Sequence, residues 1–205
     1  MKSLLQPYFS LSDSQLEALV LFKNLLIEAN KQVNLVSRKD TDSLEVHHIL
    51  HALAIAKSQK IKPGFTVLDV GTGGGLPGIP LAIMFPQSRF VLVDSIQKKI
   101  ATTQSIAQEL KLDNVQCVHG RVEKLTMPCD IITARAVTRL LPFYKLTHKL
   151  LLKNGYYLLL KGGDLTQEMK EFSEATKLRI QSLELSRFFS EPFFETKKLL
   201  VIKKK

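Results

Sequence analysis

Residues 67–80, VLDVGTGGGLPGIP, place five glycines within eight residues, directly after a short apolar run. These glycines are Gly71, Gly73, Gly74, Gly75 and Gly78. Glycine permits a tight turn and removes the Cβ atoms that would hold a ligand away from the backbone. The spacing Gly73-x-Gly75-x-x-Gly78 matches the dinucleotide fingerprint and predicts a backbone that binds a nucleotide-like ligand.

A carboxylate follows this glycine-rich loop at the distance that ribose recognition requires. Asp94 ends the apolar run FVLVD, about 20 residues beyond the loop. At the end of a second strand, such a carboxylate accepts hydrogen bonds from both ribose hydroxyls. The loop and Asp94 together predict a nucleoside-binding site.

The identity of the nucleoside follows from chain length and charge. A nicotinamide dinucleotide needs a second mononucleotide-binding half, and 205 residues leave little room for one. The fingerprint also begins with an acidic residue, Asp69. A carboxylate at a strand end repels a pyrophosphate and attracts a sulfonium and an α-ammonium group. This favours S-adenosylmethionine (SAM) as the cofactor.

Short apolar runs alternate with helical patterns from Phe65 onward, which predicts an α/β fold. The predicted strands are 65–70, 89–94, 115–119, 130–135, 156–161, 180–186 and 198–203. The predicted helices are 78–84, 95–110, 140–152 and 165–177. Such alternation indicates a mostly parallel sheet of seven strands, and the last two strands are expected to form an antiparallel hairpin. Ligands bind such sheets beyond the carboxyl ends of the strands.

The N-terminal region has a different pattern. Residues 1–62 show helical spacing of apolar residues, and Ser12 or Asp13 is expected to cap the first long helix. Lys62-Pro63-Gly64 is a turn signal. We therefore expect an N-terminal helical segment, 1–62, packed on a SAM-binding α/β domain, 63–205.

Charge and composition limit the classes of binding partner and the kinds of site that this protein can have. The chain has 29 Lys and Arg against 19 Asp and Glu, a net charge of +10 that favours a polyanionic partner. Neither a secretory leader nor an apolar run of membrane-spanning length is evident, so we expect a cytoplasmic protein. Cys117 and Cys129 are too few for a disulfide framework or a thiolate zinc site. Cys117 is expected in the core and Cys129 in a turn.

Several motifs resemble one family closely. DVGTGGGLPGIPLAI, LVDSIQKKI, ELKLDNV, RVEKL, ITARAV and LLLKGG, together with NKQVNLVS and HHIL near the N-terminus, are similar to the ribosomal RNA small-subunit methyltransferase G family, also called the glucose-inhibited division protein B family. The resemblance covers nearly the whole chain and implies a class I SAM-dependent (Rossmann-like) fold. It also implies transfer of a methyl group to N7 of a guanine in 16S rRNA.

The resemblance also implies roles for individual residues. Gly71 and Leu76 would line the methionine end of SAM, Val122 and Glu123 would flank the adenine, and Arg135 would reach into the same pocket. The family's usual Trp, Thr, Asp and Ser are replaced here by Ala29, Val36, His51 and Ala52, so roles at those four positions are not carried over.

The chemistry implied by this family needs few catalytic groups. Guanine N7 carries an exposed lone pair and no proton must leave before attack, so we expect no general base. Arg139 and Lys161 are candidate RNA contacts. For Lys161, contact with RNA and an ion pair with a carboxylate such as Glu123 or Asp94 are equally favoured interpretations. For Arg139, the alternative to a phosphate contact is a solvated surface charge.

The histidines at the end of the helical segment carry no metal signature. His47, His48 and His51 lack a companion cluster of ligands, so no metal is expected, and His48 is expected to hold the helical segment against the sheet. The expected partner is the 16S rRNA or the small ribosomal subunit, bound by a monomer. The alternatives are a methyltransferase with a non-RNA substrate and a non-catalytic rRNA-binding assembly factor.

Overall fold

The seven predicted strands form one sheet in the computed structural model, which describes residues 1–37 and 43–204. They are β1 Thr66–Val70, β2 Arg89–Asp94, β3 Val115–His119, β4 Cys129–Arg135, β5 Leu151–Gly162, β6 Ile180–Glu184 and β7 Lys197–Lys203. Residues 38–42 of the predicted helical segment and Lys205 lie outside the described residues.

The helices agree with the predicted alternation. They are α1 Lys2–Leu5, α2 Asp13–Asn30, α3 His51–Leu53, α4 Gly78–Met84, α5 Gln97–Glu109, α6 Leu140–Thr147 and α7 Thr166–Thr176. A π-helix covers Glu45–Leu50, and 3₁₀ turns cover Ala54–Ser58, Val122–Lys124, Leu185–Arg187 and Pro192–Thr196. Among the described residues, no helix is both long and apolar enough to cross a membrane.

The strand order is β3-β2-β1-β4-β5-β7-β6. The first five strands of the chain pair in parallel, and β7 is antiparallel to both β5 and β6. The predicted antiparallel closure and the predicted fold class are thus confirmed. The order reverses between β1 and β4, and this switch point is where open α/β sheets bind ligands.

Local sequence determines where α2 begins. The Ser12 hydroxyl accepts the Gln15 N–H, and the Gln15 side chain accepts the Ser12 N–H, which completes a capping box. Leu16, Leu19 and Leu26 then fall on one buried face of the helix. The predicted cap at Ser12 is confirmed.

Two apolar layers cover the sheet. On one face, α2, α3, α4 and α5 pack around residues such as Leu19, Phe22 and Ile79. On the other face, α6 and α7 pack Phe143 and Phe172 onto the strands. The N-terminal helices therefore share a core with the sheet, while the proposed division into units 1–62 and 63–205 stays a prediction.

The predicted helix 140–152 is too long. It ends at Thr147, whose hydroxyl bonds the Phe143 carbonyl, and β5 begins four residues later at Leu151. Leu151 pairs with Cys129 of β4, so tertiary pairing overrides a run of leucines that suits either structure.

Candidate functional site

A cavity of about 280 Å³ opens at the carboxyl ends of β1 and β2. Four of the predicted site residues line it: Gly71, Asp94, Val122 and Glu123. The other lining residues are Val70, Val93, Ser95, Gly120 and Arg121. The cavity lies beside the switch point of the strand order, where the fold predicts a ligand.

Asp94 braces the rim of this cavity. One carboxylate oxygen accepts the Gly73 N–H at 2.9 Å, and the other accepts the Ile96 N–H at 2.9 Å. A carboxylate offers about four acceptor positions, so each oxygen can still accept a hydroxyl of a ribose. Asp94 is only 8% exposed, which means that its charge acts in a largely water-excluded position.

Asp69 shapes the glycine-rich loop from below. Its Oδ2 accepts the Thr72 hydroxyl at 2.6 Å and the Gly78 N–H at 3.0 Å, and the residue is fully buried. The argument that this carboxylate attracts a sulfonium and an ammonium is therefore wrong in its geometry. Asp69 makes contacts within the loop and does not face the cavity surface.

Burial raises the pKa of Asp69 from 3.8 to about 7, and the hydrogen bonds from Thr72 and Gly78 only partly offset this. The folded protein therefore holds this proton more tightly than the unfolded chain does. Stability from this group is greatest below pH 3.8, falls as the pH rises towards 7, and then levels off.

Asp69→Asn is expected to remove this pH dependence while keeping the two hydrogen bonds to Oδ1 of the amide. Urea unfolding of both proteins across pH 4–8 measures the effect, with an expected relative gain for the variant on the order of 1–3 kcal/mol at the alkaline end. Parallel stability curves for the two proteins would contradict the assignment.

The N-terminal segment reaches the glycine-rich loop. Asn30 Oδ1 accepts the N–H groups of Leu35 and Val36 at 2.8 and 3.0 Å, which folds the chain back after α2. Leu35 then lies so close to Gly74 that an added Cβ would stand 3.0 Å from the leucine Cβ. This contact follows from tertiary packing, and the sequence carried no signal for it.

The 3₁₀ turn Val122–Lys124, which follows β3, contributes Val122 and Glu123 to the cavity lining. Val122 is buried, whereas the Glu123 carboxylate is exposed and lies 4.0 Å from the Arg121 guanidinium. Sequence reasoning missed Arg121, which lines the cavity between Gly120 and Val122.

Gly73, Leu76 and Arg135 do not line the cavity. Gly73 lies next to it through its bond to Asp94, and Leu76 is 3% exposed within the core below the loop. Arg135 is half-buried at the end of β4, and its Nη1 lies 3.2 Å from the His47 carbonyl and 2.9 Å from His48 Nδ1. Their contacts with a cofactor stay predictions.

The histidines border the core, as expected. His48 contacts Arg135, which links the π-helix to the end of β4. The His51 ring lies against Phe193 and Phe194, and burial lowers the pKa of His51 to about 3. Within the described parts of the chain, no group of three or more metal-ligating side chains comes together.

The two candidate RNA contacts differ in their surroundings. The Lys161 ammonium lies 2.7 Å from Glu168 Oε1 and 3.0 Å from the Thr138 carbonyl, with only 12% of its side chain exposed. The structure thus favours the carboxylate-pair interpretation for Lys161, although with a different partner from Glu123 or Asp94. Arg139 is exposed and pairs with Glu171 at 2.7 Å, so its guanidinium remains accessible to a phosphate.

The cysteines require two corrections. Cys129 is the first residue of β4 and fully buried, so it does not lie in a turn. Cys117 is half-buried because β3 is an edge strand, so it borders the core. Burial raises the pKa of Cys117 to about 11 and that of Cys129 to about 12, which leaves both as unreactive thiols.

Known proteins are similar to this chain in sequence and in fold. A family model described as rRNA small subunit methyltransferase G matches residues 15–193. The ribosomal RNA small subunit methyltransferases G of Flavobacterium johnsoniae and Flavobacterium psychrophilum are 46% and 45% identical to this chain, each alignment covering 98% of this chain and 96% of the relative. A SAM-dependent methyltransferase from Aquifex aeolicus superposes with a TM-score of 0.59 at 17% identity, over 83% of this chain and all of its own. The chain therefore belongs to the rRNA small subunit methyltransferase G family.

Proposed function

We propose that this protein transfers the methyl group of SAM to N7 of a specific guanine in the 16S rRNA of the small ribosomal subunit. The observation that carries the proposal is the family match over residues 15–193, which includes every residue around the cavity. The net charge of +10 supports a polyanionic substrate.

The residues around the cavity fit SAM. Gly71 is exposed at its wall, so the ligand can approach the backbone closely there. Asp94 presents a carboxylate to a ribose, and Val122 and Glu123 offer one apolar and one acidic side chain to an adenine. Bound SAM supplies an electrophilic methyl group.

The protein's own part is positioning. N7 attacks through a lone pair, so no residue has to remove a proton first, and we propose no general base. Holding N7 and the methyl carbon in line about 3 Å apart can account for several kcal/mol of the barrier. Gly71 and Leu76 are proposed to line the methionine end of SAM, and Gly73 to bring the backbone of the loop close to the cofactor. Arg135 is proposed to reach into the same pocket, where the target base enters.

Incubation with labelled SAM and small subunits from a strain lacking this modification tests the proposal. We expect one label per particle on 16S rRNA and none on subunits that already carry the methyl group. Nuclease digestion and chromatography should identify the product as 7-methylguanosine. Label on a ribosomal protein or a small molecule, or SAM binding without any transfer, would refute it.

Arg135→Ala is expected to lower methyl transfer at least about tenfold, because it removes the cation that joins the π-helix to the end of β4. Arg139→Ala serves as the matched control, since Arg139 lies four residues on and is exposed. The control should raise KM for the rRNA modestly and leave the Kd for SAM unchanged. If Arg135→Ala were as active as the unaltered protein, the role proposed for Arg135 in methyl transfer would be wrong.

A further inference from the structure

Four cations and a tyrosine lie at the edge of the sheet opposite to the cavity. Lys203 ends β7 and pairs with Tyr156 of β5, and Lys153 lies three residues before Tyr156. Arg179 directly precedes β6, and Lys60 precedes β1. We name Lys60, Lys153, Tyr156, Arg179 and Lys203 the amino-edge patch, because the amino ends of the parallel strands meet at this edge.

The cations gather around one aromatic ring. The Lys60 ammonium lies 5.2 Å from the centroid of the Tyr156 ring, and the Lys203 ammonium lies 5.9 Å from it. Cation–π attraction at this range stabilises each ammonium slightly but leaves its charge in place. Two ammonium groups therefore lie near the ring of Tyr156, which is half-buried.

The positive charge of the patch exceeds the negative charge around it. Of the residues that the structure describes, none forms an ion pair with Lys60, Lys153, Arg179 or Lys203. Asp130 is a neighbour through the pairing of Ile131 with Tyr156, and its Oδ2 accepts the neutral Thr66 N–H at 2.8 Å, so it keeps its negative charge. Four cations with one neighbouring carboxylate leave the patch with an excess of positive charge.

The fold does not need this arrangement. Ile180 pairs with Ile202, so Arg179 lies beside Lys203 at the end of the β6–β7 ladder. Like charges at adjacent cross-strand positions are destabilising. An anionic ligand bound at this surface would relieve such repulsion.

We propose that the amino-edge patch binds phosphates of the rRNA at a distance from the methylated base. This rests on the proposed function, because the rRNA must also reach the cavity at the other end of the sheet. The seven residues of β4 span about 23 Å, so one small anion cannot contact both ends, whereas a folded RNA can. The contacts are to the backbone and therefore independent of base sequence.

Neutralisation of the three exposed cations tests the patch. The variant Lys153→Gln/Arg179→Gln/Lys203→Gln is compared with Lys145→Gln/Lys170→Gln/Arg187→Gln, which removes the same charges from exposed positions on α6, on α7 and after β6. Binding of deproteinised 16S rRNA transcript is measured by filter retention over a range of KCl concentrations. Thermal unfolding and calorimetric titration with SAM are measured on the same samples.

For the patch variant, we expect the affinity for rRNA at low salt to fall at least about tenfold and the log–log salt slope to become shallower by about 2. Its thermal midpoint should stay unchanged or rise, because repulsion is relieved, and its SAM affinity should be unaffected. The control should lose less than about threefold in affinity. Lys203→Gln alone should shift the slope by about 0.7.

Equal losses in the patch variant and the control would overturn the proposal, since net charge alone would then explain binding. Binding of assembled small subunits is measured in the same way. If the patch variant bound the transcript normally but the subunits more weakly, the patch would contact an acidic ribosomal protein, and the proposal would also be overturned. Because these measurements need no methyl transfer, failure of the patch and failure of the proposed function are distinguishable.

Discussion

Asp94→Ala is expected to raise the Kd for SAM about 100-fold, equivalent to about 3 kcal/mol. The carboxylate is the predicted acceptor for the two ribose hydroxyls, and it also holds the N–H groups of Gly73 and Ile96. Its loss therefore removes ligand contacts and releases both sides of the cavity rim. Calorimetric titration with SAM measures the change directly.

Asp113→Ala is the control for this substitution. It removes the same charge from an exposed loop between α5 and β3, at the other end of the sheet. Its Kd for SAM should equal that of the unaltered protein. If Asp94→Ala bound SAM as tightly as the control, the nucleoside site would have to lie elsewhere.

Gly78→Val is expected to destabilise the fold by about 3 kcal/mol or more, measured by urea unfolding. A Cβ at this position would overlap Leu92 Cδ2 and would stand 2.8 Å from Asp69 Oδ2. Both neighbours are buried and cannot move away without disturbing β1 and β2. Glycine is therefore required at position 78 because α4 packs too closely against β1 and β2 to leave room for a side chain.

Gly73→Val should behave differently, although it belongs to the same motif. The nearest atom to a Cβ on Gly73 is the Leu35 carbonyl oxygen at 3.8 Å, so no clash arises. Gly73 has a φ of +57°, and holding a branched side chain at this angle costs about 1–2 kcal/mol. We expect the backbone to relax away from this angle in the valine variant, which would move the residue-73 N–H away from Asp94. We expect lost SAM binding with a folded protein. Similar unfolding curves for both valine variants would contradict this division of roles.

Motif spacing and the family resemblance together anticipated the lining of the cavity more accurately than the charge argument did. Spacing indicated the glycine-rich loop and Asp94, and the resemblance added Val122 and Glu123. These residues end or follow three different strands, and parallel strands bring their carboxyl ends to one edge of the sheet. The electrostatic argument from Asp69 failed because a one-dimensional pattern does not report which strand-end carboxylate is buried. The side chain of Asp69 turns inward to accept the Thr72 hydroxyl and the Gly78 N–H.

The amino-acid sequence by itself determined the α/β alternation, the glycine-rich loop and the carboxylate of Asp94 at the end of β2, since these depend on periodicity and on spacing along the chain. Only the tertiary structure decided the partners of the long cationic side chains. Lys161 meets Glu168, Arg135 meets the π-helix, and Lys203 meets Tyr156 across a strand pairing. These contacts join the end of a strand to the helix that follows it, to a distant segment of the chain or to a neighbouring strand. They depend on register and layer packing, which no local pattern encodes.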